Sequence, residues 1–228
     1  METASKGAVV LLSGGLDSTT LLHHVLHEYA PKPLYALSFL YGQRHARELQ
    51  CARKQAGIAL AHHVVIDMSC LKDVVGDASA LVEGGPQVPD LTGLSSDLLD
   101  QPPTYVPNRN MILLSVAAAF AEAHGITDVY YGAQALDEYG YWDCTEEFLK
   151  KLNAVFRLNR RESVTIHAPF IRIKKAETLK LGLSLGVDYG STWSCYRGDE
   201  KACGTCPTCV ERLNAFRGIG VVDPLPYE

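Results

Sequence analysis

Short apolar runs alternate with amphipathic helical patterns along most of this chain, and that alternation constrains the fold more than any other feature. Residues 8–12 form an apolar run typical of a buried parallel strand, and apolar side chains recur at helical spacing over residues 19–29. The same criteria predict further strands over residues 34–40, 63–67, 128–131 and 164–167. They predict further helices over residues 44–56, 110–124, 145–158 and 175–185. Strands that alternate with helices in this way predict an α/β fold with one parallel sheet.

The composition is typical of a soluble globular protein and argues against several functional classes. The 228 residues are 47% hydrophobic and 21% charged, and a chain of this length buries enough apolar surface to fold unaided. The formal net charge of −5 argues against broad nucleic-acid binding, although a local basic pocket for a phosphorylated small molecule is compatible with it. We find no run of about 18 apolar residues and no secretory signal, so we expect no membrane partner and a cytoplasmic location.

One stretch interrupts the alternation of strands and helices. Residues 76–104 are rich in glycine and proline and show no clear period. A connection of this length in a compact domain is usually functional or disordered, and we predict a lid or flexible loop. We divide the chain into a phosphate-loop domain over residues 1–190 and a metal-binding segment over residues 191–228 that packs on it.

A serine- and glycine-rich loop joins the first strand to the first helix. Its glycines let the backbone approach an anion closely, and the helix that follows offers free N–H groups to a phosphate. An acidic residue beside a phosphate is expected where it holds Mg²⁺. The loop lacks the lysine of a Walker A motif, which disfavours an ordinary P-loop NTPase. The proposed ATP-binding residues are Ser13, Gly14, Gly15, Leu16, Asp17, Ser18 and Thr19.

Four cysteines crowd into the C-terminal part of the chain. Cys195, Cys203, Cys206 and Cys209 are separated by seven, two and two residues. In a reducing compartment this spacing indicates metal ligands rather than disulfides. Four thiolates suit a closed, structural zinc site, and an iron–sulfur cluster is the alternative.

The loop, taken with further motifs, carries a resemblance to a known family. Ser-Gly-Gly-Leu-Asp-Ser after the first strand resembles the loop of the N-type ATP pyrophosphatases. Within that superfamily the chain resembles the QueC family, the 7-cyano-7-deazaguanine synthases, from about residue 8 to residue 224. Besides the loop and the cysteines, the matching motifs are YGQRH from residue 41 with Glu48, VPNRN from residue 106, GY from residue 140, DC from residue 143 and KAE from residue 175.

The resemblance implies a fold and a reaction. The family fold is a Rossmann-like, five-stranded parallel sheet with helices on both faces and a zinc-binding tail, usually assembled as a homodimer. Family members use ATP and Mg²⁺ to adenylate the carboxylate of 7-carboxy-7-deazaguanine. Ammonia then displaces AMP, and the resulting amide is dehydrated to a nitrile. Zn²⁺ is the expected structural cofactor, and the products from ATP are AMP and pyrophosphate.

Three residues are the proposed catalytic groups. Asp17 is the proposed Mg²⁺ ligand of the phosphate loop. Arg109 precedes a strong helix and can bind a phosphate or the substrate carboxylate in a bidentate manner, or it can be a surface arginine near a helix terminus. Lys175 opens a helix and can reach pyrophosphate, although the neighbouring Arg172 and Lys174 are equally compatible with a solvated basic turn.

The proposed substrate-binding residues follow the second and fourth strands, at the edge where α/β sheets bind ligands. An acidic residue there suits the N–H donors of a guanine-like ring. Arg44 can instead pair with Glu48 along a helix face, and Cys144 is interpreted either as a reactive thiol or as a packing residue. The proposed substrate-binding set is Gln43, Arg44, His45, Arg109, Asp137, Tyr141 and Asp143.

One motif departs from the family pattern. Tyr139, Trp142 and Thr145 stand where the family has serine, proline and arginine. A related ligase that stops at the amide, or that joins the deazaguanine to a protein amine, is therefore the first alternative. A tRNA-modifying ATP pyrophosphatase is the second, and a catalytically silent zinc-stabilised interaction domain is the third.

Overall fold

The computed structural model describes residues 7–43, 47–90, 102–134, 141–198 and 200–228. Five parallel strands form one sheet in the order β3-β2-β1-β4-β5, which confirms the predicted fold class. The strands are β1 (Ala8–Leu11), β2 (Leu34–Leu40), β3 (His62–Asp67), β4 (Asp128–Tyr130) and β5 (Thr165–His167). Register is set by pairs such as Val9 with Tyr35 and with Val129.

Helices follow the strands and cover both faces of the sheet. They are α1 (Leu16–Tyr29), α2 (Arg47–Ile58), α3 (Leu71–Val75), α4 (Arg109–Ala123), α5 (Glu146–Phe156), α6 (Lys175–Ser184) and α7 (Pro207–Gly218). One apolar core includes side chains of α4 and α5, and a second, on the other face, includes side chains of α1 and α2. In the described part of the chain no helix is long and apolar enough to cross a membrane.

Two helix predictions need correction. The first helix begins at Leu16, three residues before the predicted start, because the phosphate loop itself supplies the first turn and Thr19 N donates to Gly15 O at 3.1 Å. No helix was predicted at α7, which begins with Pro207 directly after the third clustered cysteine. The fourth cysteine, Cys209, lies on the buried face of α7. The apolar pattern of this helix therefore includes a residue that was assigned to metal binding.

The described part of residues 76–104 is packed rather than loose. Ala80, Leu81 and Val82 are buried in a third apolar core, which they share with Trp193 and three of the clustered cysteines. Ala80 N donates a hydrogen bond to Pro103 O at 2.7 Å, so the two ends of the stretch are tied together. The predicted lid or flexible loop can therefore concern only the middle of the stretch, where residues 91–101 lie outside the described residues.

The C-terminal segment reaches the phosphate loop as well as α6. Trp193 N donates to Gly14 O at 2.9 Å, and Phe216 on α7 packs in one cluster with Leu179 on α6 and Leu16 on α1. The C-terminal segment and the phosphate-loop region are therefore joined by a backbone hydrogen bond and by an apolar contact. These contacts place α7 beside the site described below.

Candidate active site

A cavity of about 330 Å³ lies over the carboxyl ends of the strands. Its wall is formed by the loop after β1, the ends of β2 and β4, the first residues of α4 and α6, and one face of α7. Adjacent parallel strands bring their carboxyl ends to one edge of the sheet, which is where open α/β sheets bind ligands. Residues from positions 11 to 212 thus line a single cavity.

The phosphate loop is preorganised by its own hydroxyl groups. Ser13 Oγ lies 2.9 Å from Ser18 Oγ, and Ser18 Oγ also accepts from Ser13 N at 3.2 Å. Gly15 N donates to Ser13 Oγ at 3.3 Å. These contacts fold the loop over the start of α1, whose positive end faces the cavity. The loop residues Ser13, Gly15, Leu16, Asp17 and Ser18 line the cavity, as expected for an anion cradle.

Gly14 is required by the backbone as well as by space. Its φ angle is +91°, a value that side-chain-bearing residues rarely adopt. A Cβ atom at this position would lie 2.1 Å from Glu48 O and 2.7 Å from Ala52 N, both on α2. The loop and α2 are therefore in backbone contact, and only glycine fits between them.

An ammonium group bridges two carboxylates at one end of the cavity. Lys175 Nζ lies 2.8 Å from Glu211 Oε2 and 3.4 Å from Asp17 Oδ2. All three side chains are largely buried, with exposed fractions of 19% for Lys175, 18% for Glu211 and 26% for Asp17. Lys175 is thus held in the site, and the alternative of a solvated basic turn does not describe its position.

The second carboxylate oxygen of the loop aspartate is unusual. Asp17 Oδ1 is buried and has no hydrogen-bond partner within the described part of the chain. A buried anionic oxygen is costly to leave unpaired, and a cation is the natural partner for it. The donor chemistry of this residue therefore fits the predicted Mg²⁺ ligand.

A half-buried arginine lines the same cavity as the loop. Arg109, the first residue of α4, places its guanidinium 5.8 Å from the centre of the Tyr41 ring. The Glu48 carboxyl also lines the cavity, where burial raises its pKa to about 7 against the opposing effect of Arg109. Arg109 is therefore not an isolated surface residue, and its positive charge is available to a ligand in the cavity.

The remaining predicted substrate residues take different places. Tyr141 lines the cavity and its hydroxyl lies 2.7 Å from Thr104 Oγ1. Gln43 also lines the cavity, where its side-chain oxygen accepts from Tyr41 N at 2.7 Å. Asp143 is buried beside the first turn of α4 and accepts from Asn110 N at 3.2 Å, and burial raises its pKa. The predicted residues Arg44, His45 and Asp137 lie outside the described residues.

Two of the residues that depart from the family pattern have a local structural explanation. Trp142 Nε1 donates to Tyr105 Oη at 2.8 Å, and its ring packs edge-on against Phe148 with centroids 5.3 Å apart. Thr145 is the N-cap of α5, accepting from Phe148 N at 3.2 Å. Tyr139 lies outside the described residues. Both described substitutions therefore stabilise the segment between β4 and α5.

The four clustered cysteines converge on one point. Their Sγ atoms all lie within 4.8 Å of one another, close to the spacing of about 3.8 Å that tetrahedral Zn–S bonds of about 2.3 Å would impose. Backbone amides of Gly198 and Cys203 donate to Cys195 Sγ at 3.1 and 3.3 Å. Hydrogen bonds from the thiols of Cys206 and Cys209 hold the pKa of Cys195 well below its ordinary value. This donor set fits a thiolate-bound metal ion.

Several polar side chains of the cavity were not predicted as functional residues, among them Glu211, Tyr131 and Glu48. Glu211 lies on α7, which was not predicted, and Tyr131 was assigned only to a strand. Glu48 was interpreted as part of a motif or of a helix-surface pair. One sequence signal was available for Glu211: it lies two residues after Cys209, a predicted metal ligand. A residue so close to a metal ligand is expected to have a fixed position.

The fold and the site together define a class. A parallel sheet, a serine- and glycine-rich loop after β1 and a cavity over the strand ends are the features of a PP-loop ATP-binding protein. The fold is similar to that of a 4-thiouridine synthetase solved with RNA and bound ATP, with a TM-score of 0.55 and 17% identity over 92% of this chain and 50% of that one.

Relatives with higher sequence identity identify the family within this class. Residues 7–220 match the family model described as queuosine biosynthesis protein QueC. The chain is 45% identical to a 7-cyano-7-deazaguanine synthase of Caldicellulosiruptor saccharolyticus, covering 97% of this chain and 95% of the relative. It is 46% identical to one of Marinobacter nauticus, covering 96% of both. The chain belongs to the QueC family, which confirms the resemblance found in its sequence.

Proposed function

We propose that this chain is a 7-cyano-7-deazaguanine synthase. The observation that carries the proposal is the pairing of an intact phosphate loop with Arg109 across one cavity, in a chain whose relatives bear that name over nearly their whole length. A reaction that activates a carboxylate with ATP needs an anion cradle and a fixed cation on the same cavity. In this cavity, the Ser13–Ser18 loop is the proposed anion cradle and Arg109 is the proposed cation.

The first half of the reaction makes a leaving group. A substrate carboxylate oxygen attacks the α-phosphorus of ATP, the α–β phosphoanhydride bond breaks, and pyrophosphate leaves. Negative charge grows on the phosphate oxygens, where the Ser13–Ser18 loop and the Lys175 ammonium can stabilise it. Mg²⁺, when bound with ATP, would add positive charge at the phosphates, and Asp17 is the residue that would hold it. Arg109 would orient the carboxylate.

The second half introduces nitrogen. Ammonia attacks the acyl carbon of the adenylate, AMP leaves with the shared oxygen, and a proton is lost to give the amide. A second ATP then activates the amide oxygen in the same way, and loss of AMP and of two N–H protons gives the nitrile. Both activations are the same phosphoryl chemistry, so one loop and one set of cations serves both steps.

We also propose that the four cysteines hold a structural Zn²⁺, that ammonia is the nitrogen donor, and that the protein works in the cytoplasm as a homodimer. Four thiolates leave no open coordination position for a substrate, which is why the metal is assigned to structure. Metal analysis distinguishes one zinc per chain from the iron and labile sulfide of a cluster.

The test is a reaction with ATP, Mg²⁺, ammonium and 7-carboxy-7-deazaguanine, followed by mass spectrometry. We expect AMP, pyrophosphate and the nitrile. Asp17→Asn is expected to keep the fold and the metal content and to abolish AMP formation. AMP with only the amide would support the related ligase that stops early, and absence of AMP in the presence of bound ATP would refute the proposal.

A further inference from the structure

Tyr131 has a buried hydroxyl group that no other described residue satisfies. It follows the last residue of β4, and its backbone N–H donates to His167 O at 3.0 Å, so its position is fixed by the sheet. The residue is 5% exposed and lines the cavity. Its hydroxyl oxygen has no hydrogen-bond partner among residues 7–43, 47–90, 102–134, 141–198 and 200–228.

Two other phenol hydroxyls of the described residues, those of Tyr189 and Tyr141, are paired. The Tyr189 hydroxyl lies 2.7 Å from Thr20 Oγ1, and the Tyr141 hydroxyl lies 2.7 Å from Thr104 Oγ1. A hydroxyl that is taken out of water without a partner destabilises the fold, and native proteins leave few of them. Phenylalanine would fill the same space without that cost. The unpaired hydroxyl of Tyr131 therefore indicates a partner that arrives with a ligand.

The surroundings of Tyr131 favour a donor role for the hydroxyl. Burial, followed by the proximity of Cys144 and Asp143, raises the pKa of the Tyr131 phenol, so it stays protonated at neutral pH. Cys144 and Asn110, which share a hydrogen bond of 3.3 Å between Nδ2 and Sγ, line the same cavity. Arg109 begins the helix that carries Asn110. The hydroxyl thus belongs to a cavity that the first residues of α4 also line.

We propose that the Tyr131 hydroxyl determines specificity by donating a hydrogen bond to an acceptor atom of the heterocyclic carboxylic acid substrate. The ligand supplies an acceptor that the described residues do not supply. A competing ligand without that acceptor would leave the buried hydroxyl unpaired and would therefore bind less tightly. The identity of the ligand rests on the function proposed above, whereas the existence of an unsatisfied donor rests on the geometry of this chain alone.

The test compares Tyr131→Phe with Tyr189→Phe as a matched control, using the full chain with its metal bound. Calorimetric titration measures the Kd for 7-carboxy-7-deazaguanine and, separately, for ATP, and thermal unfolding gives Tm. For Tyr131→Phe we expect Tm equal to or above that of the wild type, an ATP Kd within twofold, and a base Kd raised about tenfold. For Tyr189→Phe we expect a lower Tm and an unchanged base Kd.

Two results would overturn the proposal in different ways. A Tyr131→Phe variant with lowered Tm and unchanged base affinity would show that the hydroxyl has an internal partner and a structural role. A wild-type protein that binds ATP but not 7-carboxy-7-deazaguanine would refute the proposed function, and the ligand assigned to Tyr131 would fall with it. Only the first result leaves the synthase assignment standing.

Discussion

Replacing Glu211 with glutamine removes the carboxylate that lies 2.8 Å from the Lys175 ammonium, beside the phosphate loop. The substitution keeps the size of the side chain and one hydrogen-bond acceptor, but it removes the charge 2.8 Å from Nζ. Asp17 Oδ2, at 3.4 Å, is a second, more distant carboxylate contact of the same ammonium. We expect Lys175 to lose its fixed position, and the adenylation step to slow.

The magnitude follows from the geometry and the burial. Two unit charges 2.8 Å apart attract by about 6 kcal/mol at an effective dielectric constant of about 20, before the cost of desolvating them. Desolvation offsets most of this attraction, and a hydrogen bond to a charged group contributes about 1.5–3 kcal/mol net. Because glutamine keeps an acceptor, we expect a loss of about 1–2 kcal/mol, which is roughly a 5- to 30-fold fall in kcat at about 1.4 kcal/mol per tenfold.

A double-mutant cycle separates positioning from general structural damage. Pyrophosphate release at saturating ATP is measured for the wild type, Glu211→Gln, Lys175→Met and the double variant, with Tm and metal content determined for each. If Glu211 acts through Lys175, the glutamine substitution slows the wild type but changes the Lys175→Met background by less than about twofold. Tm and metal content are expected to stay near wild type for Glu211→Gln.

Equal losses in both backgrounds would refute this reasoning. That result would mean that Glu211 contributes independently of the lysine, either by stabilising α7 or by contacting a ligand directly. A fall in Tm that parallels the fall in rate would identify stabilisation of α7 as the cause.

Three further predictions concern the loop, the metal site and the anchor of the C-terminal segment. Gly14→Ala should weaken ATP binding more than tenfold in titrations, because the added Cβ would lie 2.1 Å from a carbonyl oxygen of α2. The control Gly57→Ala should bind ATP normally, because nothing lies within 4 Å of its added Cβ. Cys206→Ser should lose the metal ion and lower Tm together, since ligation contributes to folding; a normal Tm without metal would contradict this. Arg212→Met should lower the free energy of unfolding by about 3–5 kcal/mol in denaturant titrations, because it leaves the buried carboxylate that it contacts at 2.7 Å without a cation.

The predictions that the structure and the comparisons confirm came from local signals. Runs of apolar residues and their period predicted the five parallel strands, because a buried strand needs a continuous apolar run and a helix needs a stripe. The glycines and serines of the loop after β1 and the spacing of the four cysteines are equally local, since each motif lies within a short stretch of the chain. The helix predicted over residues 175–185 is observed as α6, and Gly186 just beyond it has a φ of +76°, a conformation typical of a helix end.

The sequence-based predictions missed features where one residue has two roles, or where packing against distant residues determines the local structure. The helix α7 was missed because Cys209 was assigned to metal binding, although it also occupies a buried helical position. The stretch after residue 76 was expected to be loose because its composition lacks a period, yet Ala80 and Val82 are fully buried. Composition gave no sign of the apolar core in the C-terminal segment that covers them.

The sequence by itself determined the fold class, the serine- and glycine-rich loop, the cysteine cluster and the family, because each is carried by residues that are close together along the chain. Only the tertiary structure decided which distant side chains share the cavity. The ammonium of Lys175 lies between carboxylates at positions 17 and 211. The Tyr131 hydroxyl, near Cys144, has no hydrogen-bond partner among the residues that the structure describes. These contacts depend on strand order and helix packing, which bring residues far apart in sequence to one edge of the sheet.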